Sequence, residues 1–348
     1  MKRFFAFLFI IILIIAIVGA WIIFAPATNF KNNSRYVFVR DDPSAQTQIM
    51  HQLDSGNIIR SRSIFNLLTE KTDAWQHVKP GRFEIKKGES IFSFVRKLRN
   101  NHQSEVKLTI KKLRVADDLA KIIGKNFSTD SIAAFQFLTS NDSLSSVGVD
   151  TNTLMTLIIP DTYFLNWNTS VKNILLRLKD EQEKFWQKDN REQKAAALNL
   201  NEQQVYTLAS IVEEETNNND EKGNIASVYY NRLNKGMALG ADPTIKFALK
   251  DFSLKRIYDK YLLIASPYNT YKNKGLPPGP ICTPQPVTID AVLNMPKTDY
   301  LFFVAKSDFS ENHQFTSNYA DHEKYARLYQ QALNERMHSD SLNKGLIH

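Results

Sequence analysis

The amino-terminal apolar run constrains this chain more than any other stretch. Met1-Lys2-Arg3 is followed by Phe4–Ala27, which contains no charged residue. Its core, FFAFLFIIILIIAIVGAWIIFA, has 22 residues, enough for the ~20 that a helix needs to cross a bilayer. Two basic residues on the short side favour an orientation with the amino terminus inside and the rest outside. Ala25-Pro-Ala27 also resembles a signal-peptidase site, but the apolar region of cleaved leaders is only ~7–15 residues. The expected organisation is therefore a cytoplasmic stub (1–3), an uncleaved anchor (4–27) and a polar linker (28–35) before everything else.

Charge is distributed unevenly. The net charge of the 348-residue chain is +8, and Lys31–Lys121 alone holds 18 basic against 10 acidic residues. A basic region next to a membrane can face anionic headgroups or an anionic wall polymer, or can simply be a solvated face. Nucleic acid is not expected as a partner, since no nucleic-acid motif is present. The lone Cys282 cannot form an internal disulfide and reads as structural. The histidines show no H-x-x-x-H or H-E-x-x-H spacing, so no metal site and no cofactor are expected. G-x-S-x-G, P-loop and G-x-G-x-x-G motifs are absent.

From Tyr36 the pattern reads strand, helix, helix, strand, helix, strand through Val106–Ile110. Phe83-Glu-Ile-Lys-Lys-Gly-Glu-Ser-Ile91 resembles the opening of a LysM-like module. That reading implies glycan binding; a small packing domain without a ligand fits as well. Further short helices cover Leu113–Phe127 and Ser131–Thr139, with a polar connection at Ser140–Asn152. Val171–Leu198 reads as one long charged helix.

Leu200–Thr216, LNEQQVYTLASIVEEET, carries the strongest local signal. Asn201 and Gln204 form a capping box. Val205, Leu208, Ile211 and Val212 share one helical face, with Glu213 and Glu214 falling away from it. Glu215 projects onto that face, between Leu208 and Ile211. A carboxylate on an apolar stripe breaks a local rule, and such breaks concentrate at functional sites. Desolvation and two neighbouring glutamates would raise its pKa toward that of a general acid. Pairing with Arg232 or Lys246 is the structural alternative. A second helix follows over Glu221–Lys235, and Asp242-Pro243 reads as an N-cap and first-turn proline. Ser266–Pro286 has six prolines and is long for a structureless loop, which favours function. A strand at Tyr300–Ala305, a hairpin partner at His313–Phe315, a closing helix at Asp321–Arg336 and a disordered tail complete the chain. His313 and His322 could line a groove or be structural.

Several segments in this order are similar to the endolytic murein transglycosylase (YceG-like) family. They are LASIVEEET (208–216), IASVYYNRL (225–233), MALGADPT (237–244), SPYNTY (266–271), GLPPG (275–279), YLFFVA (300–305) and His313-Gln-Phe315. Pro160-Asp-Thr-Tyr163 and the amino-terminal anchor also fit. The resemblance implies an α+β chain: a transmembrane helix, a small LysM-like subdomain (36–112), a connecting helical region (113–199), a lysozyme-like catalytic domain (200–336) and a tail (337–348). It also implies a single-pass protein of the inner membrane with its catalytic part on the periplasmic side. The implied lyase reaction cleaves nascent peptidoglycan strands between N-acetylmuramic acid and N-acetylglucosamine and leaves 1,6-anhydro ends. Partners would be glycan strands and peptidoglycan synthases. The family's catalytic glutamate precedes the threonine of its E-x-E-T motif, which places it at Glu215. Asn231, Asp242, Tyr268, Asn269 and Tyr271 are candidates for holding sugar or orienting the acid, with packing roles equally open.

Overall fold

The computed structural model describes residues 2–41 and 44–345. Met1 of the expected stub and the last three residues of the expected tail lie outside the described residues. The chain is a mixed helix-and-sheet protein whose elements divide into two compact units. The first comprises residues 1–108, 123–130 and 163–170; the second comprises 109–122, 131–162 and 171–348.

Helix α1 (Lys2–Phe24) holds the stretch Arg3–Trp21, long and apolar enough to cross a membrane, and none of that stretch is buried in the protein. Strand β1 (Ser34–Val39) follows, then α2 (Ala45–Ser55), α3 (Arg62–Lys71) and the single turn α4 (Ala74–His77). Strand β2 (Gly81–Lys86) returns antiparallel to β1, pairing Val37 with Phe83. Alternation along these strands sends Val37, Val39, Phe83 and Ile85 to one face, where they are fully enclosed. Helix α5 (Ile91–Arg99), capped by Ser90, covers that face with Ile91, Phe94, Val95 and Leu98. Phe65 of α3 stacks on Phe94 with centroids 5.8 Å apart. Strand β3 (Glu105–Thr109) pairs not with these strands but with β4 (Thr162–Asn166).

Between β3 and β4 lie α6 (Ala116–Asn126), α7 (Ser131–Leu138), α8 (Asn141–Ser145) and a 3₁₀ turn at Leu154–Leu157. The segment expected to be one long helix is two, α9 (Val171–Gln187) and α10 (Arg191–Ala197). Asp189 and Asn190 both take left-handed φ angles of 57°, which ends helical propagation. The break turns Arg191 inward, where it forms a two-pronged pair with Asp290 at 2.7 and 2.9 Å.

The second unit is built on α11 (Glu202–Glu215), α12 (Asn219–Asn234), α13 (Asp242–Leu249) and α14 (Pro286–Leu293). Its carboxy-terminal part is the hairpin β5 (Phe302–Ala305) and β6 (His313–Thr316), followed by α15 (Tyr319–Gly345). Helix α15 extends through Met337 to Gly345, so most of the expected tail is helical. The capping box at Asn201 and Gln204 is present in both directions, at 2.8 and 2.9 Å.

Helix α11 departs from the one-sided pattern of its sequence. Every residue from Val205 to Glu213 is buried. α12 and α14 pack against it, and so does the proline-rich segment through Ile281 and Cys282. Its polar positions are satisfied internally. The Ser210 hydroxyl donates to Thr207 O at 2.7 Å and accepts from Ile281 N at 3.0 Å. Gly279 makes this close threading possible, because a Cβ there would lie 2.1 Å from Asn152 O. The proline-rich segment is therefore exposed loop over Tyr271–Lys274 but core in its later part, Pro277 and Gly279–Pro284. Cys282 is buried within it, its thiol donating to Ser210 O.

Glu213 also belongs to this interior, although projection placed it away from the apolar face. It accepts from Lys222 Nζ at 3.1 Å and from the Thr288 hydroxyl, tying α11 to α12 and α14. Removing one partner of a buried ion pair leaves an uncompensated charge. Lys222→Met is therefore expected to cost about 3–5 kcal/mol in denaturant unfolding. The double variant Glu213→Leu/Lys222→Met is expected to recover most of that loss.

Candidate active site

Helix α11 ends at Glu215 because Thr216 turns to an extended conformation. The Thr216 hydroxyl accepts from Asn218 N at 3.0 Å, and the Asn218 side chain caps α12 through Asp220 N. This tight turn leaves Glu215 at the point where α11 emerges from the core. The residue opens into a groove of about 840 Å³, within the range of small-ligand sites. Tyr229, Arg232 and Lys235 of α12 form one wall. Gly236–Ala238, Gly240, Asp242, Tyr271 and Lys274 form a second, and Phe302, Phe303, Tyr319 and His322 form a third.

The Tyr229 hydroxyl donates to Glu215 Oε1 at 2.5 Å. Burial is the largest influence on Glu215 and raises its pKa; the Tyr229 bond lowers it, and the negative charge of Asp242 raises it again. Lys246 and Arg232 act weakly downward, and the net result is a carboxyl pushed up to about 7. No ion pair reaches Glu215 among the described residues. The expected push from the adjacent glutamates is not the cause. Glu214 is held by Arg114 at 2.9 and 3.0 Å and by Lys112 at 3.2 Å. Burial raises its pKa, but these cations outweigh burial and leave it lowered. Glu213 is likewise neutralised by Lys222. The like charge that matters comes from Asp242, 27 positions downstream of Glu215.

Tyr229 is itself buried, which raises its pKa well above the ordinary phenol value, and the neighbouring Glu215 adds to this. It therefore stays a neutral donor. Arg232 is fixed by donating to Leu301 O at 2.7 Å and Leu239 O at 2.5 Å. Burial lowers its pKa, but a guanidinium remains charged.

Of the five candidates beside Glu215, two share its groove. Asp242 is the first residue of α13 rather than its cap; Ala241 occupies the cap position. The freed Asp242 carboxylate accepts from the Tyr271 hydroxyl at 2.6 Å. Burial, then the Asp242 bond, raise the Tyr271 pKa. The other three point elsewhere. Asn231 donates to Thr298 O and Tyr300 O, pinning the strand approach to β5. Asn269 is fully buried and spends its amide on Leu262 O, Ile264 O and Tyr271 N. Tyr268 packs on Phe247, with centroids 4.6 Å apart, and lines a separate pocket with Arg114 and Asn152.

His313 accepts its structural role by binding Glu221 through both ring and backbone, at 2.8 and 2.7 Å. His322 is the histidine that lines the groove. Tyr229 had no role assigned from the sequence, since a tyrosine within an apolar helical segment looks like ordinary core. Lys235, Lys274 and Tyr319 lie outside the family-like segments, and Phe302 carried no signal beyond its place in one. Arg232 was expected only as an ion-pair partner of Glu215, and no such pair forms among the described residues. No group of residues suited to a metal occurs among the described residues.

Residues 38–328 match the model of the YceG-like family. Over 180 residues the chain is 37% identical to the endolytic murein transglycosylase of Bacillus subtilis, covering 51% of this chain and 49% of that protein. It is 26% identical to the endolytic murein transglycosylase of Streptococcus pneumoniae, covering 84% of this chain and 58% of the other. The chain thus spans about half the length of these relatives. The crystal structure of a YceG-like protein from Listeria monocytogenes superposes with a TM-score of 0.54 at 25% identity, covering 84% of this chain and 99% of that one.

A carboxyl whose folded pKa is raised to about 7 binds its proton more tightly folded than unfolded. Its contribution to stability is full below the unfolded value, near ~4.3, and is lost as pH rises through 7. Glu215→Gln is neutral at every pH. It is therefore expected to gain melting temperature over the parent at pH 8 and not at pH 4. In carboxyl-carbon NMR, Tyr229→Phe is expected to move the Glu215 titration further upward, since the lost hydrogen bond favoured the charged form.

Proposed function

The chain belongs to the YceG-like family, and on that premise we propose that it is an endolytic murein transglycosylase. It would cleave between N-acetylmuramic acid and N-acetylglucosamine inside peptidoglycan strands. The observation that carries this reading is Glu215: a carboxyl pushed up to about 7, free of ion pairs among the described residues, at the wall of a groove. An acid with a pKa near the working pH suits proton donation to a glycosidic oxygen.

In this mechanism Glu215 donates its proton to the bridging oxygen as the bond from that oxygen to C1 of the muramyl residue breaks. The muramyl C6 hydroxyl oxygen then bonds to C1, and its proton returns to the Glu215 carboxylate. Atoms balance without water, and the enzyme is restored. Tyr229 keeps one carboxyl oxygen occupied as an acceptor, which leaves the other to carry the proton. Asp242 and Tyr271, linked to each other, are the groove residues proposed to orient the acid or the sugar. Asn231, Asn269 and Tyr268 act through the segments they brace.

The finer architecture belongs to the same proposal. Residues 200–336 form the lysozyme-like catalytic part, 36–112 the LysM-like part and 113–199 their connection. The LysM-like reading rests on Phe83–Ile91, which spans β2 and the start of α5. Helix α1 is compatible with a single-pass anchor; Lys2 and Arg3 favour an orientation with the catalytic part outside, and the inner-membrane placement rests on the family resemblance. Cleavage within nascent strands would end their elongation beside the synthases that extend them.

Mass spectrometry of digested peptidoglycan tests the reading. The expected products end in 1,6-anhydro-muramyl residues, one water lighter than reducing ends. Glu215→Gln is expected to lower the rate by ~10²–10⁴-fold. Reducing ends would instead indicate hydrolysis, with Asp242 as the candidate base for water. An undiminished Glu215→Gln rate would remove Glu215 from the mechanism.

A further inference from the structure

The third wall of the groove has a chemistry the proposed reaction does not use. Phe302 of β5 lies against two residues from the first turn of α15. Its ring stacks on His322, with centroids 5.2 Å apart and planes 24° apart, and meets Tyr319 edge-on at 5.7 Å. The Arg232 guanidinium sits 5.2 Å from the Phe302 centroid, so this ring is held from more than one side. Tyr319 is 64% exposed, a large aromatic surface turned to a groove rather than to the core.

His322 completes the pattern. Its Nδ1 is buried with no hydrogen-bond partner among the described residues. Burial, then the charge of Arg232, lower its pKa, so the ring is neutral and carries one proton. An orphaned buried N–H is rarer than an orphaned acceptor, which places the proton on Nε2. That nitrogen is not among the enclosed atoms, and the residue lines the groove. An exposed ring face beside an N–H donor matches a pyranose, which offers apolar CH groups on one face and oxygen acceptors at its edge.

Resting on the proposed activity, we infer that Tyr319, Phe302 and His322 form a saccharide subsite for an N-acetylhexosamine of the glycan strand next to the cleaved bond. The Tyr319 ring takes the sugar face, and His322 Nε2 donates to a hydroxyl or acetamido oxygen. Phe302 and Arg232 hold both side chains in place.

The test uses the full chain in detergent, with Glu215→Gln present to prevent cleavage. The probe is peptidoglycan glycan strands stripped of peptide, followed by calorimetric titration. Adding Tyr319→Ala is expected to weaken binding roughly tenfold, about what one aromatic contact supplies. His322→Phe keeps the stack on Phe302 and removes the donor, and is expected to weaken binding severalfold. Tyr319→Phe keeps the ring face and is expected to bind as the Glu215→Gln parent, which separates lost recognition from lost folding. If the parent binds and both Tyr319→Ala and His322→Phe bind equally well, the subsite is overturned while the proposed activity stands. If the parent binds no strand and the native chain cleaves none, the activity fails and the subsite fails with it.

Discussion

The enclosure of α11 is the constraint on which the second unit depends. A helix buried from Val205 to Glu213 must satisfy every polar group it carries, because an unpaired buried group costs about 1–3 kcal/mol. Ser210 and Tyr206 do so through backbone carbonyls and an amide. Three consecutive glutamates at the carboxy-terminal end pose a harder problem. That end of a helix bears partial negative charge and disfavours carboxylates. Lys112, Arg114 and Lys222 converge there and neutralise Glu213 and Glu214. Glu215 is served by a phenol instead, and the imbalance is what leaves it able to hold a proton near neutral pH.

Neutralisation of two glutamates and not the third also explains the division of labour in the motif. Glu213 joins three helices, Glu214 ties the helix end to Lys112 and Arg114, and Glu215 faces the groove. Thr216 closes the helix and starts the turn that caps α12. Each of the four residues has a separate physical task.

Local patterns made much of this legible in the sequence. The apolar run, the capping box at Asn201, the hairpin of β5 and β6 and the misplaced Glu215 all follow from periodicity or turn chemistry acting over a few residues. What was not legible depends on residues far apart. The burial of Glu213 depends on Lys222 and Thr288, and projection on one helix cannot see them. The break between α9 and α10 is a different case: Asp189 and Asn190 are adjacent, and their short polar side chains tolerate the left-handed conformation, a local signal set against helical patterns on both sides. Asn269 read as a candidate for holding sugar and Asn231 for orienting the acid or the substrate, yet amides equally suit free backbone carbonyls. The groove's aromatic wall comes from β5 and α15, about a hundred residues from the acid, and only tertiary structure brings them together.

The threading of the proline-rich segment through the core has a kinetic consequence. Ile281 bonds Ser210 across 71 positions, and Leu113 bonds Thr283 across 170. Contacts of such separation close late and slowly. During synthesis α11 emerges well before the segment that sheathes it, and the groove wall from β5 and α15 emerges later still. The acid is therefore assembled among the last features of the unit, so a partly made chain carries Glu215 without the surroundings that give it its chemistry.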